Sequence, residues 1–186
     1  MIEEDKKKQK NKKKNNNWIW VIFITTFILA LIIGAIADTT VQNLNLGFAI
    51  LILVLIIGIG ILSDIVGMSV ASADEVIFHA QATKKVKGAL EAIRLVKYSE
   101  KVSSVCNDVV GDVCGIISGT ISALIAMQIA GLTNIPSTIV SLVMGALVAS
   151  ATVGGKAIGK SIAVKHSEDI IGKVGKLISY IWPVKK

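Results

Sequence analysis

The sequence has few of the residues on which catalytic, zinc-binding and disulfide-linked proteins depend. It contains two cysteines, two histidines and two prolines, and aromatic residues make up only 5% of the chain. Cys106 and Cys114 are eight positions apart, which on one helix separates them by about 12 Å, too far for a disulfide bond. Neither cysteines nor histidines have the spacing of a zinc site. No serine–histidine–aspartate or cysteine–histidine pattern is present, so we expect that the chain is not an enzyme.

One stretch satisfies a nucleotide-binding pattern by spacing alone. Gly154 is followed after four residues by Gly159, Lys160 and Ser161, as in a P-loop. A P-loop follows a strand, whereas this stretch follows a long apolar run, so we do not expect nucleotide binding.

Apolar residues are abundant instead. They make up 53% of the 186 residues, and the mean hydropathy is +0.68. This composition is too apolar for an ordinary soluble domain and is typical of a small all-α integral membrane protein. Four stretches approach or exceed the roughly 20 residues that cross a bilayer as a helix. These predicted spans are 18–37, 46–71, 105–130 and 135–155.

Basic residues are confined to the segments between and beyond these spans. Seven of the 20 Lys and Arg residues lie in 1–17, six in 74–101 and seven in 156–186. The short loops 38–45 and 131–135 have none. Because short basic segments stay in the cytoplasm, we predict a multi-pass protein of the cell membrane with both termini cytoplasmic. The net charge of +7 is divided among these segments, which argues against a nucleic-acid partner.

The polar segments have different predicted structures. Segment 1–17 is lysine- and asparagine-rich, and we predict a disordered tail. Segment 74–101 has apolar residues at helical spacing and predicts a juxtamembrane helical hairpin or a surface-lying helix. Segment 167–182 predicts a C-terminal amphipathic helix. It either lies on anionic lipid or packs on the protein's own cytoplasmic helices.

Small and acidic residues form a stripe along the third span. At 100° per residue, Asp108 and Asp112 share an arc with Gly111, Gly115 and Gly119, while residues such as Val109 and Val113 face away. The three glycines form two overlapping GxxxG units, which predict close helix packing. Asp64 in the second span and Lys156 at the end of the fourth lie on similar stripes. This pattern predicts a shared polar site near the inner leaflet.

Two chemistries fit such a site. Three carboxylates could ligate a hard divalent cation such as Mg²⁺, because that ion prefers oxygen ligands. The candidate metal ligands are Asp64, Asp108 and Asp112, with neutral oxygens from Ser63, Ser104 and Asn107. Alternatively, Lys156 pairs with one of the aspartates, and the site is a salt bridge without a metal.

Several motifs occur in an order that resembles a transporter family. They are SDIVGMSVASAD (63–74), QATKKVKGALEAI (81–93), CNDVVGDV (106–113) and GKAIGKSIAVKHSEDI (155–170). Segment 62–183 is similar in this order to the transmembrane domain of the cyclin-M/CorB–CorC magnesium and cobalt transporters. The resemblance implies a domain over 46–183, preceded by an extra span at 18–37 and without cytoplasmic regulatory domains. It also implies a homodimer, with Mg²⁺ as the bound ion.

The chain departs from that family at the ion site. Lys156 stands where the resembling family places a cation-binding glutamate, and Gly159 and Gly111 stand where it has a proline and a second asparagine. We therefore predict a divalent-cation transporter-like protein with a remodelled ion site. The alternative is a non-transporting membrane scaffold or accessory subunit in which Lys156 replaces the cation. A holin-like or immunity-type protein is a third possibility, but four spans and a structured juxtamembrane region argue against it.

Overall fold

The described residues of the protein are helical, without a strand. The structure, a computed structural model, describes residues 20–36 and 45–181. The first helix, α1, is Trp20–Ile36. The later helices are α2 (Leu46–Ser72), α3 (Glu75–Thr83), α4 (Ala89–Lys97), α5 (Ser99–Ser104), α6 (Asp112–Leu132), α7 (Ser137–Lys165) and α8 (Ser167–Ile181). A π-helix, Val105–Gly111, joins α5 to α6.

Three helical runs are long and apolar enough to cross a membrane. They are Leu46–Ser72, the continuous run Ser99–Leu132 and Ser137–Lys165. This confirms the prediction of an all-helical protein with apolar helices of membrane-spanning length. Helix α1 is apolar but shorter in its described part. The predicted tail 1–17, the ends of the predicted first span and most of the loop 38–45 lie outside the described residues.

Helices α2, α6 and α7 form a bundle in which each contacts the other two. Its core is Ala49, Leu53, Val113, Ile117, Ile121, Ile125 and Val148. Side chains of α1 at Leu29, Ala30 and Ile33 pack against this core. From the order of the connections, α2 and α7 run in one direction and α6 in the other. The ends of α2 and α7 and the start of α5 therefore lie at the same end of the bundle.

One part of the predicted helix orientation is wrong. Val109 and Val113 were predicted to face away from the packed stripe, but they are only 4% and 1% exposed. Val113 lies on the face of α6 that packs in the core with Ile117, Ile121 and Ile125. A Cβ built at Gly115 or Gly119 would meet no atom within 4 Å, so the packed face of this helix is the apolar one and not the face with these two glycines.

A second, smaller core lies at the end of the bundle where α2 and α7 end. Val70 of α2, Phe78 of α3, Ala92 of α4 and Ile171 of α8 are all fully buried and pack together. Segment 74–101 thus forms a hairpin of α3 and α4, one of the two predicted arrangements. Ile171 and Gly175 dock α8 on the protein's own helices, whereas Leu177 and Ile181 near its end are 62% and 76% exposed. Trp182 of the predicted amphipathic segment lies outside the described residues.

Helix α7 approaches α2 closely because it has glycines at the contact. A Cβ built at Gly155 would collide with the side chain of Ile61, and one at Gly159 would lie 2.7 Å from Cγ1 of Ile65. Small residues at such contacts allow two helix backbones to pack closely within a bilayer.

We expect the substitution Gly159→Leu to destabilise this contact. Overpacking of a well-filled interface costs typically about 1–3 kcal/mol, because neighbouring side chains and backbone must shift. Equilibrium unfolding in mixed detergent micelles measures the change. The matched control is Gly154→Leu, since a Cβ at Gly154 meets no atom within 4 Å. Equal losses of stability in both variants would contradict the proposed packing role of Gly159.

Candidate functional site

Three charged side chains from three helices meet where α2, α6 and α7 come together. Lys156 of α7 places its Nζ 3.6 Å from Oδ1 of Asp64 on α2. The same Nζ lies 3.5 Å from Oδ1 of Asp112, the first residue of α6. We call Asp64, Asp112 and Lys156 the lysine–carboxylate cluster. Among the three aspartates that the sequence offered as partners of Lys156, the structure pairs it with two.

The members of the cluster differ in exposure. The side chain of Asp64 is 5% exposed and that of Lys156 is 20% exposed, whereas that of Asp112 is 65% exposed. A buried carboxylate is costly unless a counter-charge or hydrogen bonds replace its water. Oδ2 of Asp64 is buried without a hydrogen-bond partner among the described residues. Lys156 is therefore the group that compensates the charge of Asp64, and Asp112 adds a partner at the edge of the site.

Gly111 makes room for the ammonium group. This glycine is the last residue of the π-helix and is buried. A Cβ built on it would lie 3.3 Å from Nζ of Lys156 and 3.8 Å from Oδ1 of Asp64. The sequence pattern predicted Gly111 as a helix-packing residue, and here its missing side chain also leaves space for Lys156.

The π-helix adjoins the cluster and was not predicted from the sequence. The hydroxyl of Ser63 on α2 donates to the carbonyl oxygen of Cys106 at 2.9 Å. The amide of Asn107 donates to Oγ of Ser103 at 3.2 Å, and its Oδ1 faces Gly67. Such π-helical turns often occur at functional sites. The polar residues at 103–108 in an otherwise apolar span were the available sequence signal, but they do not specify a π-turn.

The remaining predicted metal ligands have other contacts. Asp108 is exposed and accepts a 2.9 Å hydrogen bond from the hydroxyl of Ser104, one turn earlier on the same helix. Across the described part of the chain, no group of three or more His, Cys, Asp or Glu residues is arranged to hold a metal ion. Of the six predicted ligands, Asp64 and Asp112 both contact Lys156. Ser104 and Asp108 contact each other, and Ser63 and Asn107 have other partners.

Two of the three stripe glycines have no close packing partner among the described residues. A Cβ built at Gly115, Gly119 or Gly145 would meet no atom within 4 Å. With Val148, Ala149, Thr152 and Val153, these glycines line an open groove between α6 and α7, with a volume of about 220 Å³. The predicted close helix packing at Gly115 and Gly119 therefore has no partner helix within the described residues.

Both cysteines are free, in agreement with their predicted separation. Cys114 lies on the α2–α6 contact, where its Cβ is 3.0 Å from a Cβ built at Gly60. It therefore serves as a small packing residue at this crossing.

Comparisons with known proteins give no relative for this chain. No family model, no curated protein and no solved structure matches it. The resemblance to the magnesium transporters therefore stays a prediction based on the quoted motifs.

Proposed function

We propose that this protein is a non-transporting membrane scaffold or accessory subunit in which Lys156 takes the place of a bound cation. The observation that supports this proposal is the position of the Lys156 ammonium, within 4 Å of carboxylate oxygens from two other helices. It links α2, α6 and α7 electrostatically at one point. A metal ion between three helices would make the same type of connection.

The charge of the ammonium group favours this function over ion binding. With Lys156 protonated and both carboxylates ionised, the lysine–carboxylate cluster has a net charge of −1. A divalent cation between Asp64 and Asp112 would lie close to the positive charge of Lys156, and like charges repel each other. Lys156 is covalently attached and requires no metal, so it suits a site whose role is to hold helices together.

The proposed membrane arrangement has four spans and cytoplasmic termini, in the cell membrane. It is supported by the charge distribution in the described residues. Their basic residues all follow the end of α2 in the α3–α5 segment or lie in 156–176, towards the end of α7 and in α8. The α6–α7 connection at the opposite end has no charged residue. Basic segments near membrane helices remain on the cytoplasmic side.

The proposed partner is a second copy of the chain. The open groove lined by Gly115, Gly119 and Gly145 supports this proposal, because small residues on two neighbouring helices allow another helix to approach closely. A homodimer formed there would cover Gly115 and Gly119, which have no close packing partner in the described part of the chain.

Divalent-cation transport is a second candidate function, and one observation favours it. Asp64 keeps a buried oxygen, Oδ2, without a partner among the described residues, and Asp112 lies nearby through their common contact with Lys156. If Lys156 turned towards water, the two carboxylates would offer hard oxygen ligands to Mg²⁺ or Co²⁺. Transport by this route requires that the lysine leaves the site.

Magnesium flux into dye-loaded proteoliposomes distinguishes the two functions. We expect no flux with the wild-type chain, because the ammonium group occupies the ion position. The variant Lys156→Glu adds a third carboxylate, and we expect Mg²⁺ to raise its thermal stability in detergent while leaving that of the wild type unchanged. Flux gained in this variant would indicate an ion path that Lys156 blocks in the wild type.

The matched comparison is Asp112→Ala in the wild-type background. Flux through the wild-type protein that Asp112→Ala abolishes would overturn the scaffold proposal and support a remodelled carboxylate transport site. Size-exclusion chromatography of each variant before reconstitution ensures that a loss of flux is not a loss of folded protein.

A further inference from the structure

Two segments that are distant in sequence form one basic surface at the end of the bundle. The α3–α4 turn with the start of α4, residues 84–90, reads KKVKGAL, and the second part of α8, residues 173–181, reads KVGKLISYI. Together they contain five lysines and no acidic residue. We call residues 84–90 and 173–181 the basic surface.

The two segments are in direct contact. Gly88 has a positive φ of 92°, and its Cα lies so close to the backbone of Lys176 that a Cβ there would collide with it. Nζ of Lys87 lies 3.5 Å from the ring centroid of Tyr180, a cation–π contact that joins the turn to α8. The lysines of both segments therefore belong to one surface.

Exposed apolar side chains are interspersed with these lysines. Val86 and Leu90 are 48% and 41% exposed, and Leu177, Tyr180 and Ile181 are 62%, 66% and 76% exposed. Apolar side chains beside lysines are the composition of segments that lie in the membrane interface, where the apolar groups enter the acyl boundary and the lysines reach phosphates.

The position of the surface matches the headgroup layer. Helix α2 has 27 residues, which at 1.5 Å per residue is about 40 Å, longer than the roughly 30 Å hydrocarbon core. A helix of this length extends beyond the hydrocarbon at one or both ends unless it is tilted. Val70, in the last turn of α2, belongs to the same buried cluster as Ile171 of α8, and α2 contacts α8, which places α8 beside this end of the bundle.

We propose that the basic surface binds the headgroups of anionic phospholipids in the membrane that the bundle crosses. The positive charge, the exposed apolar side chains and the position at the bundle end all fit this partner. The proposal is independent of whether the protein transports an ion, because none of these residues belongs to the lysine–carboxylate cluster.

Lipid retention by the full-length protein tests the proposal. The chain is purified in neutral detergent and mixed with equal amounts of phosphatidylglycerol and phosphatidylcholine of identical acyl chains, and bound lipids are counted by native mass spectrometry. We expect the wild type to retain phosphatidylglycerol preferentially. Each lysine near an anionic surface strengthens binding roughly fivefold. The variant Lys84→Gln/Lys87→Gln/Lys176→Gln should therefore reduce the preference by about a hundredfold.

Two further variants make the result specific. The control Lys97→Gln/Lys160→Gln/Lys165→Gln removes the same charge from exposed lysines outside the basic surface and should keep the preference. The variant Lys85→Gln/Lys173→Gln leaves the Lys87–Tyr180 contact intact and should lower the preference about 25-fold. It tests the proposal if the triple variant misfolds. An equal loss in the control would overturn the proposal. So would a wild type that does not distinguish the two lipids, which would point instead to an acidic protein partner.

Discussion

Replacing Lys156 by methionine should lower the free energy of unfolding by about 3–5 kcal/mol, the usual cost of removing one member of a buried ion pair. The reason is the carboxylate of Asp64, whose side chain is 5% exposed and which would lose its counter-charge. Methionine has a similar length to lysine, so the effect reports charge more than volume. Equilibrium unfolding in mixed detergent micelles measures the change.

Two comparisons separate the charge effect from a packing effect. Asp112→Asn removes the exposed partner and should cost at most about 1 kcal/mol, as is usual for exposed ion pairs. The double variant Asp64→Asn/Lys156→Met removes both buried charges and should recover most of the stability lost in Lys156→Met. If Lys156→Met alone proves as mild as Asp112→Asn, Lys156 does not compensate Asp64, and the scaffold proposal loses its basis.

The substitution Gly88→Val should detach α8 from α4 and destabilise the protein by about 3 kcal/mol or more. A non-glycine residue in the left-handed region costs roughly 1–2 kcal/mol, and Gly88 has a φ of 92°. Overpacking adds typically about 1–3 kcal/mol, because the new side chain would collide with the backbone of Gly175 and Lys176. Rotation of a side chain cannot relieve a backbone collision, so α8 must move.

Two measurements check this prediction: amide hydrogen exchange along α8 and the free energy of unfolding. Amide protection of α8 should fall in Gly88→Val while that of α6 in the bundle core is retained. The matched control is Gly172→Ala on α8, where a Cβ meets no atom within 4 Å. Alanine is the better helix former by roughly 1 kcal/mol, so this control should be neutral or slightly stabilising. Unchanged protection of α8 in Gly88→Val would show that the α4–α8 contact does not hold this helix in place.

The positions of the apolar helices were predictable because hydropathy over about 20 residues is a property of each segment by itself. The predicted spans 46–71 and 135–155 correspond to α2 and the first two thirds of α7. The hairpin within 74–101 was one of two predicted arrangements. Its turn has one signal in the sequence, Gly88 between two apolar helical segments.

The candidate site was predictable in its members but not in its pairing. Intramembrane charges are rare enough that Asp64, Asp112 and Lys156 stood out in the sequence. Their contact depends on how each helix is rotated about its axis, and a single π-helical turn changes that rotation for every residue after it. Asp112 contacts Lys156, whereas Asp108, four residues earlier, is hydrogen-bonded to Ser104.

The sequence by itself determined that the chain is helical, apolar in segments of membrane-spanning length and basic only outside them, because these properties depend on composition along the chain. Only the tertiary structure decided that Lys156 contacts both Asp64 and Asp112, that Gly111 leaves room for its ammonium group, and that α8 docks on α4 through Gly88. Each of these contacts joins residues more than 40 positions apart. Such contacts depend on how the helices are rotated and packed against one another, and a local sequence pattern does not contain that information.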